Sequence, residues 1–382
     1  MAVSNQASYD IDHFIEKANN SILSDVWDAW YSGIYRCNDV LVHMDGVSIE
    51  NASQYRGECL FLRSWFYFNL YRNFGVVPIT RTVVSPEEAQ SIPRCTDSEM
   101  YSLLVDDLTE AASLLPDARG SEVARVTKAA ARALLGKVHL TFGKKAEAKS
   151  VLELVLNDKN YGLETTPARV FDVTNKMNKE IIFAVYYNKS TDSGHGYWYS
   201  VSTNVLADIN NPTMQFKSIF STTDARYDLV GSYVEITKNK LYALRKWYDT
   251  YDATYTTQVG NDFPHLRYAD AVLMYAEAIA DTDLAGALTY LNQTRTRAGL
   301  AALTTTDITT QQQFVEELAN ERGREFALEG QRWYDLVRLG LAVDYFRSLG
   351  YTLDDHSLIF PIPQSQIEIV NDNSILWQNP GY

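Results

Sequence analysis

The sequence carries little positive charge. It has 34 lysine and arginine residues against 48 aspartate and glutamate residues, which gives a net charge of −14. Binding a nucleic-acid backbone requires clustered Lys and Arg side chains that neutralise phosphates, so the composition argues against a nucleic-acid partner. Electrostatic attachment to an anionic membrane surface is disfavoured for the same reason.

Long apolar runs are also absent. No stretch approaches the roughly 18 consecutive apolar residues that a membrane-spanning helix needs. The opening residues, "MAVSNQASYDIDHF", contain no basic segment followed by an apolar one, so they do not form a signal peptide. Two interpretations stay open here: a cytosolic protein, or an exported protein whose signal has been removed.

Residues that commonly carry chemistry are few and show no motif. The three cysteines are an odd number and lack the paired spacing of metal ligands, and the six histidines include no H-E-x-x-H pattern. No G-x-S-x-G, P-loop or G-x-G-x-x-G sequence occurs. We therefore expect no catalytic residues, no metal and no cofactor, and predict that the protein is not an enzyme.

Helical periodicity, in contrast, covers much of the chain. It predicts helices over residues 24–43, 53–75 and 96–116, two helices on either side of Gly143 within 127–158, two within 268–299, and further helices within 311–350. Thr96 with Glu99 three residues later is typical of a capping box at a helix start. The last residues, 351–382, contain three prolines and are predicted to be extended.

Two of these segments have the form of tetratricopeptide hairpins. Gly136 and Ala148 in the first, and Ala276 and Ala287 in the second, stand where small residues let paired helices approach closely. Between them, residues 160–262 lose helical periodicity and contain β-like runs such as "EIIFAVYY". Long irregular segments in compact proteins are often functional, so we expect the ligand-binding region there.

Aromatic clusters within this irregular region are the candidate binding residues. Tyrosine occurs 25 times and tryptophan 7 times. Aromatic planes stack on the apolar C–H faces of sugars. The predicted ligand-binding residues are Tyr197, Trp198, Tyr199, Trp247, Tyr248 and Tyr251. The alternative is that these rings hold long loops to the scaffold.

The stretch "NERGREFALEGQRWYDLVRLG", residues 320–340, is dense in charge. Glu321, Glu325 and Glu329 are four residues apart, which places them on one face of a continuous helix beside several arginines. Ion pairing would lower the pKa of these acids, whereas a general acid needs a raised pKa. We therefore predict a structural network of salt bridges rather than a glycosidase site.

Taken together, six segments resemble the SusD/RagB family of outer-membrane nutrient-binding lipoproteins. In chain order they are "RGECLFLRSWFYFNLYRNFGVVPI", "TKAAARALLGKVHLTFG", "RYADAVLMYAEA", "LNQTRTRAGL", "ERGREFALEGQRWYDLVRLG" and "FPIPQSQIEIVNDNSILWQNPGY". The fifth is similar to that family's E-R-x-x-E-x-x-x-E-G-x-R-W-x-D-L-x-R helix. The chain is shorter than is usual in the family, and it lacks the N-terminal lipidation cysteine.

The resemblance implies a location and partners. Such proteins are lipid-anchored, face outward at the outer membrane, and deliver glycans, or sometimes peptides, to a SusC-like TonB-dependent transporter. These implications select the exported interpretation, with the signal peptide and anchor removed. Because the shared motifs belong to the scaffold, the resemblance assigns no binding residues.

The resulting prediction is one mainly α domain over residues 1–382, a tetratricopeptide-like superhelix of about four helix pairs with a large irregular region on one face. N-terminal repeats span 20–160, the putative ligand-binding region 160–262, C-terminal repeats 263–350, and an extended tail 351–382. The predicted function is binding and delivery of an oligosaccharide. The alternative is a peptide-binding or protein-interaction scaffold built on the repeats.

Overall fold

The computed structural model describes residues 6–188, 214–231, 233–235, 242–247, 249 and 260–382. Within them the chain is mainly helical. The helices are α1 Gln6–Asp12, α2 Ser21–Met44, α3 Ala52–Phe74, α4 Pro86–Ala89, α5 Asp97–Leu114, α6 Lys128–Thr141, α7 Lys145–Leu156, α8 Met214–Lys217, α9 Tyr227–Gly231, α10 Tyr268–Ile279, α11 Leu284–Arg297, α12 Gln311–Glu325, α13 Arg332–Arg338, α14 Ala342–Ser348 and α15 Gln364–Val370. The strands are β1 Ile181–Val185, β2 Tyr233–Glu235, β3 Tyr242–Leu244 and β4 Phe263–Arg267.

The chain divides into two compact units. Unit 1 consists of Met1–Pro116, Val126–Phe142 and Leu336–Tyr382, and unit 2 of Asp117–Arg125 and Gly143–Asp335.

In unit 1, helices pack in sequence: α2 on α3, α3 on α5, and α5 on α6. The α2–α3 contact is close at Gly33, where a Cβ atom would lie only 2.5 Å from the ring of Phe66. Arg63 on α3 joins the three helices, because its guanidinium donates to Asp107 on α5 at 2.7 Å and to Asn38 on α2 at 2.8 Å. Helix packing and the buried ion pair between Arg63 and Asp107 therefore hold this core together.

In unit 2, α10 packs against both α7 and α11, and α11 packs against α12. Ala276 and Ala287 are both fully buried, as expected for the small residues of a helical hairpin. Strands β1 and β4 form an antiparallel pair with Ile181 opposite Arg267 and Val185 opposite Phe263, and β2 pairs with β3. The predicted β-like run "EIIFAVYY" thus contains a strand.

The predicted helices are confirmed with small shifts of their ends. The segment predicted as 24–43 is α2, 53–75 is α3, and 96–116 is α5, whose Thr96 and Glu99 form the predicted capping box. The segments on either side of Gly143 are α6 and α7, and residues 268–299 contain α10 and α11. Repeated apolar spacing and capping residues are local signals, so they survive in the folded chain.

The prediction of a wholly extended tail over 351–382 is wrong. Residues Gln364–Val370 form α15, which begins directly after Pro363. Proline fits just before or at the start of a helix, because the first turn needs no N–H donor there. The remainder of the tail is held by Arg94, which donates to the carbonyl of Trp377 at 2.8 Å and to Asn379 at 2.7 Å.

Candidate functional site

The predicted binding residues divide into two groups. Tyr197, Trp198, Tyr199, Tyr248 and Tyr251 lie outside the described residues, and their assignment stays a prediction. Trp247 is described and is completely buried. Its ring packs edge-on against Phe171, with centroids 5.3 Å apart, and stacks on Phe263 at 5.7 Å. The prediction that Trp247 binds the ligand is therefore corrected, because a fully buried ring has no face open to a ligand. Trp247 instead holds its loop to the scaffold, which was the alternative for these rings.

Lys246, beside Trp247, fixes this part of the irregular region to the helical scaffold. Its buried ammonium donates to the carbonyl of Ala327 at 2.5 Å and to the carboxylate of Glu329 at 2.7 Å, and it lies 4.3 Å from the ring centre of Phe171. Burial lowers the pKa of Lys246, and the pairing with Glu329 offsets only part of that effect. The lysine is therefore held by several contacts at once.

A buried ion-pair network surrounds the carboxylate of Glu325 on α12. Arg226 and Arg267 each lie 3.0 Å from it, and Arg297 forms a third ion pair. Arg226 also pairs with Glu321 at 2.7 Å. All of these side chains are almost fully buried. The ion pairs join α12 to the irregular region through Arg226, to β4 through Arg267 and to α11 through Arg297. The predicted structural network of salt bridges is confirmed.

Glu180 also pairs with Arg267 and Arg297, but its net pKa shift is opposite to that of Glu325. Burial raises the pKa of Glu325, but Arg297, Arg267 and Arg226 outweigh it and hold the pKa well below its usual range. For Glu180, burial prevails over Arg297 and Arg267, and the pKa is raised. The expected lowering of the pKa therefore holds for Glu325, which has three arginine partners, whereas Glu180, which lies outside the predicted stretch, has two and a raised pKa.

The charged stretch is not the single helix that its sequence predicts. Helix α12 ends at Glu325 and α13 begins at Arg332. Leu328 and Gly330, between them, have positive φ angles of 64° and 70°. Glu329 thus lies in a turn rather than on the face of α12. There its two carboxylate oxygens accept hydrogen bonds from Arg267 at 2.8 and 2.9 Å.

The segment that bears the predicted binding residues begins and ends at the β1–β4 sheet. Asp262, just before β4, accepts a hydrogen bond from the backbone N–H of Tyr187 at 3.1 Å, just after β1. Lys176 pairs with Asp262 at 2.7 Å and also donates to the carbonyls of Tyr187 and Gly260. The chain that bears the predicted binding residues therefore leaves and rejoins the scaffold at adjacent, tightly bonded points.

One face of this sheet is aromatic and partly exposed. Phe183 on β1 stacks on His265 of β4 at 5.9 Å, and Phe263 meets His265 edge-on at 5.1 Å. Tyr186, just after β1, has 41% of its area exposed, and the Lys176 ammonium lies 3.9 Å from its ring centre. We name Phe183, Phe263 and His265 the aromatic face. Sequence reasoning missed it, because β1 is apolar at every position and its pattern does not indicate which side chains are partly exposed.

The described residues also limit other kinds of site. Among them, no group of three or more His, Cys, Asp and Glu side chains is placed to hold a metal ion. No helix in the described ranges is long and apolar enough to cross a membrane.

Two family models match the chain. Residues 226–382 match the model described as "SusD family", and residues 2–140 match one described as "Starch-binding associating with outer membrane". Together the two matches span well over half of the chain. The chain belongs to the SusD/RagB family.

Known members of the SusD/RagB family share most of the chain's length. A SusD-like protein of Formosa agariphila is 25% identical over 427 aligned residues, covering 98% of this chain and 83% of the relative. The structure of a SusD-like protein from Bacteroides fragilis is 26% identical with a TM-score of 0.78, covering 96% and 88% of the two chains. A laminarin-binding SusD-like protein is also 26% identical, with a TM-score of 0.76 and coverage of 94% and 85%.

Membership of the SusD/RagB family confirms several predictions. The fold is the mainly α, tetratricopeptide-like superhelix of SusD-like structures. The family consists of carbohydrate-binding proteins associated with the outer membrane, so the prediction that this protein is not an enzyme is confirmed.

Proposed function

We propose that this protein binds an oligosaccharide at the cell surface and delivers it to a SusC-like TonB-dependent transporter. The aromatic face, at the point where the irregular region joins the scaffold, is the structural observation that carries this proposal. Partly exposed rings stack on the apolar C–H faces of sugars, which is the contact that this face offers to a ligand.

The family relationship supports a carbohydrate ligand. The 26%-identical laminarin-binding protein shares the fold over 94% of this chain. We therefore take glucans as the first ligand class to test. We propose that the predicted loop residues Tyr197, Trp198, Tyr199, Tyr248 and Tyr251 also contact the ligand.

The location and the protein partner belong to the same proposal. The N-terminal part of the chain matches a family model described as associated with the outer membrane. We propose an outward-facing, lipid-anchored protein with a SusC-like transporter as its partner. Co-purification of such a transporter with the tagged protein from outer-membrane extract tests this part.

The ligand is tested by affinity electrophoresis in gels containing laminarin, starch or other polysaccharides. We expect wild type to be retarded in at least one gel. Phe183→Ala and Trp198→Ala should each weaken binding by about two- to tenfold, the effect of losing one aromatic contact. The matched control is Tyr290→Ala, which removes a partly exposed ring that packs edge-on against Tyr275 of the neighbouring helix.

Circular dichroism establishes that each variant is folded. If Phe183→Ala and Trp198→Ala bind as well as wild type does, these residues do not form the sugar site and the proposed site is wrong. A wild-type protein that binds no glycan but binds peptides would replace this proposal with the peptide-binding alternative.

A further inference from the structure

Residues 6–20, which we name the N-terminal segment, pack against α14 and the tail within unit 1. The ring of Phe14 meets that of Phe346 on α14 edge-on, with centroids 5.0 Å apart. The carbonyl of Ala18 accepts a hydrogen bond from the backbone N–H of Gln364 at 2.8 Å. Helix α1 contains no buried residue, so few contacts oppose local opening of this segment.

The N-terminal segment also contacts the tail through a buried acid, Glu16, of which only 4% is exposed. Its Oε1 atom lies 3.0 Å from the hydroxyl of Tyr382. Its Oε2 atom is buried and has no hydrogen-bond partner among the described residues, and no Lys, Arg or His side chain described here forms an ion pair with Glu16. An ionised carboxylate in this position would leave a charged oxygen buried without a donor, which is costly.

The hydroxyl of Tyr382 indicates which form of Glu16 fits this arrangement. It lies within hydrogen-bond distance of two oxygens, Glu16 Oε1 at 3.0 Å and the carbonyl of Ile359 at 3.2 Å. A hydroxyl has one proton, and a carboxylate and a carbonyl only accept, so it cannot donate fully to both. A protonated Glu16 instead donates to the Tyr382 oxygen, while the Tyr382 O–H donates to Ile359. Both contacts are then hydrogen bonds.

The charged groups around Glu16 favour the same form. Burial raises the pKa of Glu16, and the charge of Asp10 on α1 adds to this rise. Its own backbone N–H, the Tyr382 hydroxyl and His356 offset only part of it. His356 packs edge-on against the Tyr382 ring with centroids 5.2 Å apart, but its Nδ1 pairs with Asp354 rather than with Glu16.

We infer that Glu16 and Tyr382 form a proton-dependent clasp that holds the N-terminal segment to the tail. The clasp is closed when Glu16 carries a proton. It weakens when Glu16 is ionised, because one hydrogen bond is lost and a charge is buried. The inference does not depend on the proposed function, since the clasp lies in unit 1 and the aromatic face in unit 2.

The direction of the pH dependence follows from the raised pKa. A carboxyl group whose pKa is raised in the closed form binds its proton more tightly there than in the open form. Its contribution is therefore full below the ordinary glutamate pKa of about 4.3 and is lost as the pH rises through the raised value. The N-terminal segment should open more often at neutral pH than at acidic pH.

Amide hydrogen exchange of the full chain, measured by mass spectrometry on peptides covering residues 6–20, tests the clasp. Wild type and Glu16→Gln are compared at the same pH, so that the intrinsic pH dependence of exchange cancels. The glutamine amide is neutral and can donate to the Tyr382 oxygen, so it keeps the closed arrangement at every pH. We expect nearly equal exchange at about pH 4 and faster exchange of wild type at pH 7, by about tenfold for each unit of the rise in pKa.

Two further variants complete the test. Tyr382→Phe removes the hydroxyl, so its N-terminal segment should exchange faster than that of wild type at about pH 4, where the wild-type clasp is closed. Glu87→Gln removes an exposed acid of unit 1 and is the matched control, which should keep the pH dependence of wild type. Peptides from α6, most of whose residues are buried, show in the same experiment that each variant is folded.

Two results would overturn the clasp. If Glu16→Gln and wild type exchange in parallel from acidic to neutral pH, the ionisation of Glu16 does not control the N-terminal segment. If Glu16→Gln exchanges faster than wild type at every pH, the ionised acid is the form that holds the segment.

Discussion

Trp247 shows why composition alone does not distinguish a binding residue from a packing residue. It stands in an aromatic-rich segment of the irregular region, where no periodicity indicates which side chains face inward. In the structure it is enclosed by Phe171 and Phe263, and its neighbour Lys246 is tied to Ala327 and Glu329. These partners lie distant in sequence, so no local pattern could have predicted the burial.

Trp247→Ala should therefore act on stability rather than directly on ligand binding. Removing a buried aromatic side chain leaves a cavity and lowers the free energy of unfolding by about 3–5 kcal/mol. Urea unfolding followed by circular dichroism measures this, with Trp247→Phe as the variant that should lose much less. If Trp247→Ala is as stable as wild type but no longer binds glycan, Trp247 stacks on the ligand and the packing role is wrong.

Glu325 is the residue on which the ion-pair network depends most. Glu325→Gln removes the charge shared by Arg226, Arg267 and Arg297 while keeping nearly the same shape. Breaking a buried pair costs about 3–5 kcal/mol, because the remaining charges are buried without compensation. We expect a loss of this size in urea unfolding at pH 7. Glu122→Gln, at an exposed ion pair with Arg125, should leave the free energy of unfolding almost unchanged.

The same variant makes a prediction about pH. The pKa of Glu325 is lowered in the folded protein, so the unfolded chain binds its proton more readily. Its contribution to stability is full above the ordinary glutamate pKa of about 4.3 and is lost as the pH falls below that value. The stability difference between wild type and Glu325→Gln should therefore shrink from pH 7 towards pH 3. A difference that stays constant over this range would show that Glu325 does not titrate as the ion pairs require.

At the scale of elements, local signals predicted helix starts better than helix ends. Thr96 and Glu99 indicated the start of α5, and the capping box is present. The end of α12 carried no such signal, because helix-forming residues continue beyond Glu325. In the structure the carbonyl of Glu325 accepts from Arg267 at 3.0 Å, and that of Ala327 accepts from Lys246. Side chains from other parts of unit 2 thus donate hydrogen bonds to carbonyls that would accept backbone N–H groups if the helix continued.

The capping box of α5 gives a prediction at this scale. Thr96→Ala removes the side-chain oxygen that accepts from the backbone N–H of Glu99 at 3.2 Å. Loss of such a cap lowers the free energy of unfolding by about 1 kcal/mol. Thermal or urea unfolding checks this, with Ser102→Ala, an exposed position on the same helix, as the control. Equal stability of Thr96→Ala and Ser102→Ala would contradict a stabilising role for the cap.

At the scale of the whole molecule, the fold class followed from repeated helical patterns, whereas the site did not. Hairpins, caps and small helix-contact residues are encoded within a few residues of each other. The aromatic face instead combines Phe183 with Phe263 and His265, which are about eighty residues away in the sequence. The charge of −14 fits an uncharged ligand such as a glycan better than a polyanion.

The ion-pair network also has a consequence for how the protein is made. Arg226 is 99 residues ahead of Glu325, and Arg267 and Arg297 also precede it. Ribosomes add about 5–20 residues per second, so roughly 5–20 s separate the synthesis of Arg226 from that of its carboxylate partner. Until Glu321 and Glu325 are made, Arg226 has only Asp224 as a carboxylate partner, and burying its charge without the carboxylates of α12 is costly. The interior of unit 2 can therefore close only after α12 has left the ribosome, and its completion is a late step during translation.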